Sequence, residues 1–317
     1  MDKSIALIGG TGFIGTNLAN YFLEKDYFVL LISRNLDTKN IIVKSDKLRA
    51  FAIDVNFTSK LIEPLKDYEN IIWLVNDLLP SRSLDSLVDD FSFNIKPLID
   101  FLEASNKFKK LKRFFYFSSG GTIYGDSPEH QSFKENSPKK PISAYGLSKI
   151  ISENYIEFIT RRSEFESFIL RPSNIYGNFQ NFKKPQGIVG YAFNAILNNI
   201  PIDLYGEGKV TRDFLHVSDL SEVILTFINN YHEKSRVEVY NIGSQKGYTI
   251  NEILDLICKV TGRIVPTISK PARLYDCDYN VLDISKLRVN LEWEPKIEIA
   301  EGLNHVWNWI KTEQKFK

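Results

Sequence analysis

Short apolar runs recur through the first half of the chain, separated by segments whose apolar positions repeat at helical spacing. Residues 5–8 form the first run, glycines follow, and 16–25 has helical spacing. Further runs occupy 28–32, 48–53, 71–75 and 113–117, with a helical segment over 91–105. Strands buried on both faces read as continuous apolar runs, not as alternation. Strands alternating with helices at this spacing predict an α/β fold with a doubly wound parallel sheet. The segment 126–141 contains Pro128, Pro138 and Pro141 and no apolar period, so it reads as a surface loop. After Arg171-Pro172 the rhythm loosens, with a turn at 205–208 and a last helix over 300–311 carrying Val306, Trp307 and Ile310. The expected division is 1–173, with 214–241 returning to it, and a smaller mixed α/β domain of 174–213 and 242–317.

At about 150 residues per domain, a chain of 317 residues agrees with two domains. Apolar residues at 43% and charged residues at 25% are ordinary globular values and exclude a disordered chain. Forty basic against 39 acidic side chains give +1, which argues against a nucleic-acid partner, since that would need a basic excess. No apolar run is long enough to cross a bilayer, so no membrane partner is expected. Met1-Asp2-Lys3-Ser4 leads directly into the first strand without a charged leader. Cys258 and Cys277 form neither a disulfide framework nor a metal spacing. They read as unpaired thiols in a reducing cytoplasm, and no metal is expected.

The first candidate for chemistry is Gly9-Gly10-Thr11-Gly12-Phe13-Ile14-Gly15, which follows the first strand and opens the first helix. It contains G-x-G-x-x-G at Gly10, Gly12 and Gly15, and G-x-x-G-x-x-G at Gly9, Gly12 and Gly15. Glycines allow a tight turn and close approach of a pyrophosphate, and the helix start at Phe13 and Ile14 offers amides and positive dipole. This strand–turn–helix context predicts a Rossmann dinucleotide site. An acidic residue for the adenosine ribose belongs about 20 residues on, at the end of the second strand. The chain there reads Ser33-Arg34-Asn35, with no carboxylate before Asp37. Ser33 and Arg34 suit a 2′-phosphate, which favours NADP over NAD.

The second candidate is Tyr145-Gly146-Leu147-Ser148-Lys149, a phenol and an ammonium four apart on one helix face. A cation beside tyrosine favours the phenolate and makes the phenol a usable acid or base. The spacing alone is weak, for Tyr21 and Lys25 share it on the first helix. Context separates them. Tyr145 follows a strand ending in Ser118-Ser119-Gly120-Gly121-Thr122, which puts hydroxyls at the carboxyl end of the sheet, where ligands bind in such folds.

With these motifs, the chain resembles the extended short-chain dehydrogenase/reductase family, specifically its nucleotide-sugar epimerases and dehydratases. The resemblance rests on the glycine turn, on Ser118 through Gly125, on Tyr145-x-x-x-Lys149 and on Arg171-Pro172-Ser173-Asn174-Ile175-Tyr176-Gly177. It continues in Val210-Thr211-Arg212-Asp213-Phe214 with Val217 and Asp219, in Pro271-Ala272-Arg273 and in Trp293-Glu294-Pro295. It implies that Tyr145 and Lys149 are the catalytic pair, with Lys149 also on the nicotinamide ribose. Asp54 and Val55 look like the adenine contact, Asn94 like a cofactor contact from the helix after the fourth strand, and Val75, Ser118 and Pro172 like further cofactor contacts. Asn174, Arg212 and Arg273 look like the grip on a nucleotide diphosphate, and Asp276 like a contact to the nucleoside ribose. Paired guanidiniums suit a pyrophosphate.

Three departures qualify the resemblance. Gly120 stands at the family's catalytic serine or threonine, so Ser119 or Thr122 supplies the hydroxyl. Gly121-Thr122 replace the Asp-Glu pair of the dehydratases, which argues against sugar dehydration. Trp73-Leu74-Val75-Asn76 is an unusual end to the fourth strand. The resemblance implies hydride transfer at C4 of a nucleotide-diphosphate sugar, as a 4-epimerase. The alternatives are an NADPH-dependent reductase of 4-keto-6-deoxy sugars and a cofactor-binding module without turnover. It also implies a homodimer.

Overall fold

The first apolar run becomes a strand buried at every position, β1 (Ser4–Ile8). After it come α1 (Phe13–Glu24), β2 (Phe28–Ser33), β3 (Leu48–Ala52), α2 (Thr58–Leu65), β4 (Asn70–Trp73) and α3 (Leu87–Asp90). A π-helical turn (Phe91–Ile95) leads into α4 (Lys96–Ser105), β5 (Arg113–Phe117), the short α5 (Gly120–Ile123), α6 (Ala144–Thr160) and β6 (Glu166–Pro172). The rest is β7 (Asn174–Tyr176), α7 (Ile188–Asn198), β8 (Ile202–Tyr205), β9 (Thr211–His216), α8 (Val217–Asn230) and β10 (Val237–Ile242), then β11 (Gly247–Thr249), α9 (Ile250–Thr261), β12 (Thr267–Lys270), β13 (Tyr279–Asn280), α10 (Ser285–Leu291) and α11 (Ile299–Gln314). The computed structural model describes residues 3–76, 87–182, 187–230, 235–273 and 276–314.

The main sheet has seven strands in the order β10-β6-β5-β4-β1-β2-β3. Every pairing from β3 through β6 is parallel. The chain winds outward from β1 through β2 to β3, then returns to β4 on the other side of β1. The glycine turn therefore leaves β1 at the point where the winding direction switches, which is where doubly wound sheets bind ligands.

The chain divides into two units. The first is Met1–Ile123, Pro141–Arg171 and Ile228–Tyr240. Its core joins sheet residues such as Leu30, Ile71, Trp73 and Phe114 to Phe101 of α4 and Ile156 of α6. Phe101 lies 5.3 Å from Trp73 and 5.9 Å from Phe114, ring centre to ring centre. The second is Tyr124–Lys140, Pro172–Phe227 and Asn241–Lys317. In it β11 runs antiparallel to β9, β7 and β13 run parallel to β9, and β12 pairs with β8. Its core joins α7, α9 and α11 to Tyr176, Ile202 and Phe214 of the strands, with Phe193 of α7 stacked on Trp307 of α11 at 5.9 Å. α9 starts at a capping box between Thr249 and Glu252 and ends at Gly262, whose φ is +66°.

This division differs from the expected one at 124–140, 172–173, 214–227 and 241, which group with the second unit. The proline-rich segment has neither helix nor long strand, as its pattern predicts, yet it is anchored. Phe133 stacks on Tyr124 at 4.9 Å and bridges to Leu282, and Glu135 accepts the Asn241 amide at 3.0 Å. A few anchors need no periodicity, so none was visible. The helix expected over 91–105 carries the π turn in its first half, an insertion that a 3.6-residue period does not reveal. Cys258 and Cys277 are both free thiols. Among the described residues no helix is long and apolar enough to cross a membrane.

Candidate active site

The glycines after β1 divide by what holds them. Gly9 has φ +83°, and a Cβ there would lie 3.1 Å from the backbone of Leu74 and Val75. A Cβ on Gly10 would come within 2.7 Å of the Leu31 side chain, and one on Gly15 within 2.5 Å of the Gly10 carbonyl. Packing, and at Gly9 the positive φ as well, requires glycine at these three positions. Gly12 differs: a Cβ there would meet only the Gly9 carbonyl oxygen, at an ordinary 3.5 Å. Gly12 is exposed, caps α1 without a side-chain hydrogen bond, and no acidic residue occupies the helix's first turn. An unneutralised helix start under a bare backbone fits the pyrophosphate of a dinucleotide. Phe13 and Ile14 are the first residues of that helix.

Around this turn, the Thr11 hydroxyl donates to Ser33 Oγ at 2.8 Å and to the Asn35 carbonyl at 3.2 Å. Ser33 ends β2, and Arg34 beyond it is exposed. Of the nearby carboxylates, Asp37 pairs with Lys39 at 2.9 Å and Asp54 accepts the Asn56 amide at 2.9 Å. Val55 is buried in the first unit's core, with Val75 packed against it. Asn94 sits in the π turn, where its amide donates to Asp90 Oδ1 at 2.7 Å. Ser118 and Pro172 lie at the carboxyl ends of β5 and β6.

Tyr145 and Lys149 sit on the first two turns of α6. Ser143 caps that helix by accepting the Gly146 amide at 3.1 Å. Gly146 lets the helix start close, for a Cβ there would lie 2.6 Å from the Thr122 carbonyl. The Lys149 ammonium is buried and donates to the Phe117 carbonyl at 2.8 Å. It lies 5.5 Å from the Tyr145 ring centre and 4.8 Å from that of Tyr116. Burial pushes Lys149 down to about 8, opposed by the charges of Asp90 and Glu153. Burial also pushes the Tyr145 phenol up to about 12, opposed by a hydrogen bond from the Ser119 hydroxyl.

The structure thus brings Ser119, and not Thr122, to the phenol. The Thr122 hydroxyl is buried with no hydrogen-bond partner among the described residues. A phenol held by a hydroxyl, with an ammonium over its ring, is equipped to move one proton, and the hydroxyl favours the phenolate.

The second unit gathers the other expected residues. Arg212 on β9 donates to the Cys277 carbonyl at 2.7 Å and the Thr211 carbonyl at 2.9 Å, and reaches Asp276 at 3.4 Å. The Asp276 amide donates to the Arg273 carbonyl at 3.2 Å, which joins the three residues. The Arg273 guanidinium carbon lies over Tyr205, 3.6 Å from the ring centre. Asn174 on β7 donates to the Asp213 carbonyl at 2.9 Å. Sequence reasoning missed Tyr205, which it read only as part of a turn, and the buried charges Asp90, Glu153 and Arg171. Glu153 had a signal, since it lies four residues after Lys149 on the same helix face. Asp90 and Tyr205 had none.

Comparison with known proteins shows the family. The family model "NAD dependent epimerase/dehydratase family" matches residues 5–243. A Methanocaldococcus jannaschii protein named "Putative UDP-glucose 4-epimerase" is 32% identical, covering 98% of this chain and 99% of its own. An Escherichia coli dTDP-4-dehydro-6-deoxyglucose reductase is 27% identical, covering 98% of each chain. Among solved structures, a UDP-glucose 4-epimerase from Thermotoga maritima with UDP-glucose is 26% identical, with a TM-score of 0.89, covering 98% of this chain and 99% of that one. The chain belongs to the NAD dependent epimerase/dehydratase family.

Proposed function

We propose that the protein is a nucleotide-sugar 4-epimerase acting on a UDP-sugar, with Tyr145 as its acid and base. The observation that carries this reading is the contact of the Tyr145 phenol with Ser119 and the buried Lys149 ammonium. NAD, when bound, supplies the acceptor and then the donor of a hydride at C4 of the sugar. The Tyr145 oxygen takes the C4 hydroxyl proton as the ketone forms and returns it when the other face is reduced. Lys149 and Ser119 stabilise the phenolate in between. Gly12 and the amides of Phe13 and Ile14 hold the pyrophosphate. Ser33 stands where a ribose carboxylate is usual, with Asp54, Val55, Val75, Asn94, Ser118 and Pro172 as further cofactor contacts. Arg212, Arg273 and Asn174 hold the nucleotide diphosphate, and Asp276 the nucleoside ribose.

The 4-keto sugar reductase is a second reading, favoured by the missing carboxylate after β2 and by the reductase among the relatives. One experiment separates the two. The purified protein is denatured and any released nucleotide identified by mass. The native protein is then given UDP-glucose without added cofactor and followed by proton NMR. Released NAD and a mixture of the two C4 epimers are expected. No released nucleotide, no epimerisation and NADPH-dependent reduction of a 4-keto-6-deoxy sugar would establish the reductase, with Arg34 meeting the 2′-phosphate. NAD retained without turnover of either substrate would leave a binding module.

The outer face of α6 supports the expected homodimer. Leu147, Ile151, Tyr155 and Phe158 form an apolar stripe at helical spacing, opposite the face carrying Tyr145 and Lys149, with Leu147, Tyr155 and Phe158 exposed. A two-fold contact would pair this stripe with its own copy. Light scattering should show a dimer that Phe158→Lys converts to a monomer, and a monomeric wild type would refute the pairing. The free thiols support a cytoplasmic location.

A further inference from the structure

α6 carries a third residue on the face that holds Tyr145 and Lys149. Glu153 follows Lys149 by one turn and is 3% exposed. Its Oε1 accepts from Ser118 Oγ at 2.6 Å and from Arg171 Nε at 2.9 Å, and its Oε2 accepts from Arg171 Nη2 at 2.7 Å. Arg171 is 2% exposed. Ser118 directly follows β5, and Arg171 lies near the end of β6, the strand paired with β5. One carboxylate therefore pins α6 to the carboxyl ends of two adjacent strands. Phe117, whose carbonyl takes the Lys149 ammonium, is the residue before Ser118.

Stability alone gives no reason to keep this pair. Taking two charges out of water is costly, and an apolar pair of similar volume is commonly as stable or more so. A bidentate guanidinium–carboxylate pair adds direction, for it fixes an angle as well as a distance. Direction matters here because a displacement of about 1 Å in reacting groups can cost about 100-fold in rate.

We propose that Glu153, clamped by Arg171 and Ser118, is a positioning residue for the Tyr145–Lys149 pair. It fixes the rotation and axial register of α6 on the sheet, and with them the Lys149 ammonium against the Phe117 carbonyl. This rests on the catalytic reading of that pair. The groups facing Lys149 are Tyr145 and Glu153 from α6, the Tyr116 ring and the Phe117 carbonyl from β5, and Asp90 from the end of α3. Arg171 balances the charge of Glu153. Removing both leaves the net charge of the region unchanged, although the field of Glu153 at Lys149 goes with it, so the kcat loss and the Glu153→Asp variant report placement.

The test is the double variant Glu153→Leu/Arg171→Met. It should melt no lower than wild type and bind NAD within about twofold, while kcat falls at least about tenfold and KM stays within about threefold. The Lys149 titration, read by NMR on protein with 13C-labelled lysine and assigned with Lys149→Met, should also move. Glu153→Asp keeps the charge and shortens the reach, so it should lose rate in the same direction by less. A folded double variant with wild-type kcat and an unmoved Lys149 titration would overturn the proposal. If the double variant does not fold, Glu153→Asp decides: wild-type kcat and an unmoved titration in that variant also overturn it. If wild type turns over no nucleotide sugar, the functional reading fails, while the Lys149 titration still tests the positioning.

Discussion

Two tyrosine–lysine pairs with identical spacing lie on two helices of the first unit. In the first, the Lys25 ammonium lies 5.6 Å from the Tyr21 ring centre, and in the second Lys149 lies 5.5 Å from that of Tyr145. Spacing and ring geometry do not distinguish them; surroundings do. Lys25 is exposed at the end of α1. Lys149 is buried, bonded to the Phe117 carbonyl, and faces two buried carboxylates. In water a neighbouring charge acts weakly, and in a desolvated site it acts strongly. In the proposed function it is burial, and not the four-residue spacing, that sets the second pair apart from a surface contact.

Exchanging the lysines sharpens this comparison most. Lys149→Met should lower kcat by about 100- to 10,000-fold, the range for loss of acid–base function. Lys25→Met should leave kcat within about twofold, and steady-state kinetics on both variants checks this. The hydroxyls come next. Ser119→Ala should cost about 10- to 100-fold in kcat, as a lost hydrogen bond to a charged group does. Thr122→Ala should cost less than about threefold, because Thr122 does not reach the phenol. Equal losses at the two positions would return the catalytic hydroxyl to open choice.

The pH dependence gives a smaller effect with a definite sign. Lys149 is pushed down to about 8, so it is an ammonium below that pH and neutral above it. Tyr145 must be a phenolate to take a proton and its phenol is pushed up to about 12, so kcat should rise with pH and level off near pH 8, where Lys149 loses its proton. Asp90 favours both the ammonium and the protonated phenol. Asp90→Asn should therefore move the levelling to lower pH, and a kcat profile from pH 6 to 10 would show it. The smallest effect concerns stability: Tyr21→Phe should leave the melting temperature within about 2 °C of wild type by calorimetry.

Most of the sheet was legible because its strands are continuous apolar runs. β5 matches its expected bounds, and β1, β2 and β4 begin or end within a residue or two of theirs. The glycine turn was legible as a motif, but its division of labour was not. That Gly9, Gly10 and Gly15 answer to packing while Gly12 stays open depends on Leu31, Leu74 and Val75, which no local pattern contains. The proposed catalytic pair was legible only with its neighbourhood. Glu153 and Arg171 escaped because their meaning lies in a contact between α6 and β6, and a lone Arg or Glu in sequence reads as a solvated side chain. Arg212 was named from the resemblance, but the bonds of its Nη1 to the Cys277 and Thr211 carbonyls were not, because spacing does not indicate them.

The central claim is that burial selects one of two equivalent pairs for chemistry. Tyr145→Phe and Tyr21→Phe, assayed side by side for interconversion of UDP-glucose and UDP-galactose with retained-cofactor content measured, test it most directly. The account predicts that Tyr145→Phe loses nearly all turnover while holding wild-type amounts of cofactor, and that Tyr21→Phe matches wild type in both. Turnover persisting in Tyr145→Phe, or lost equally in the two variants, would contradict it.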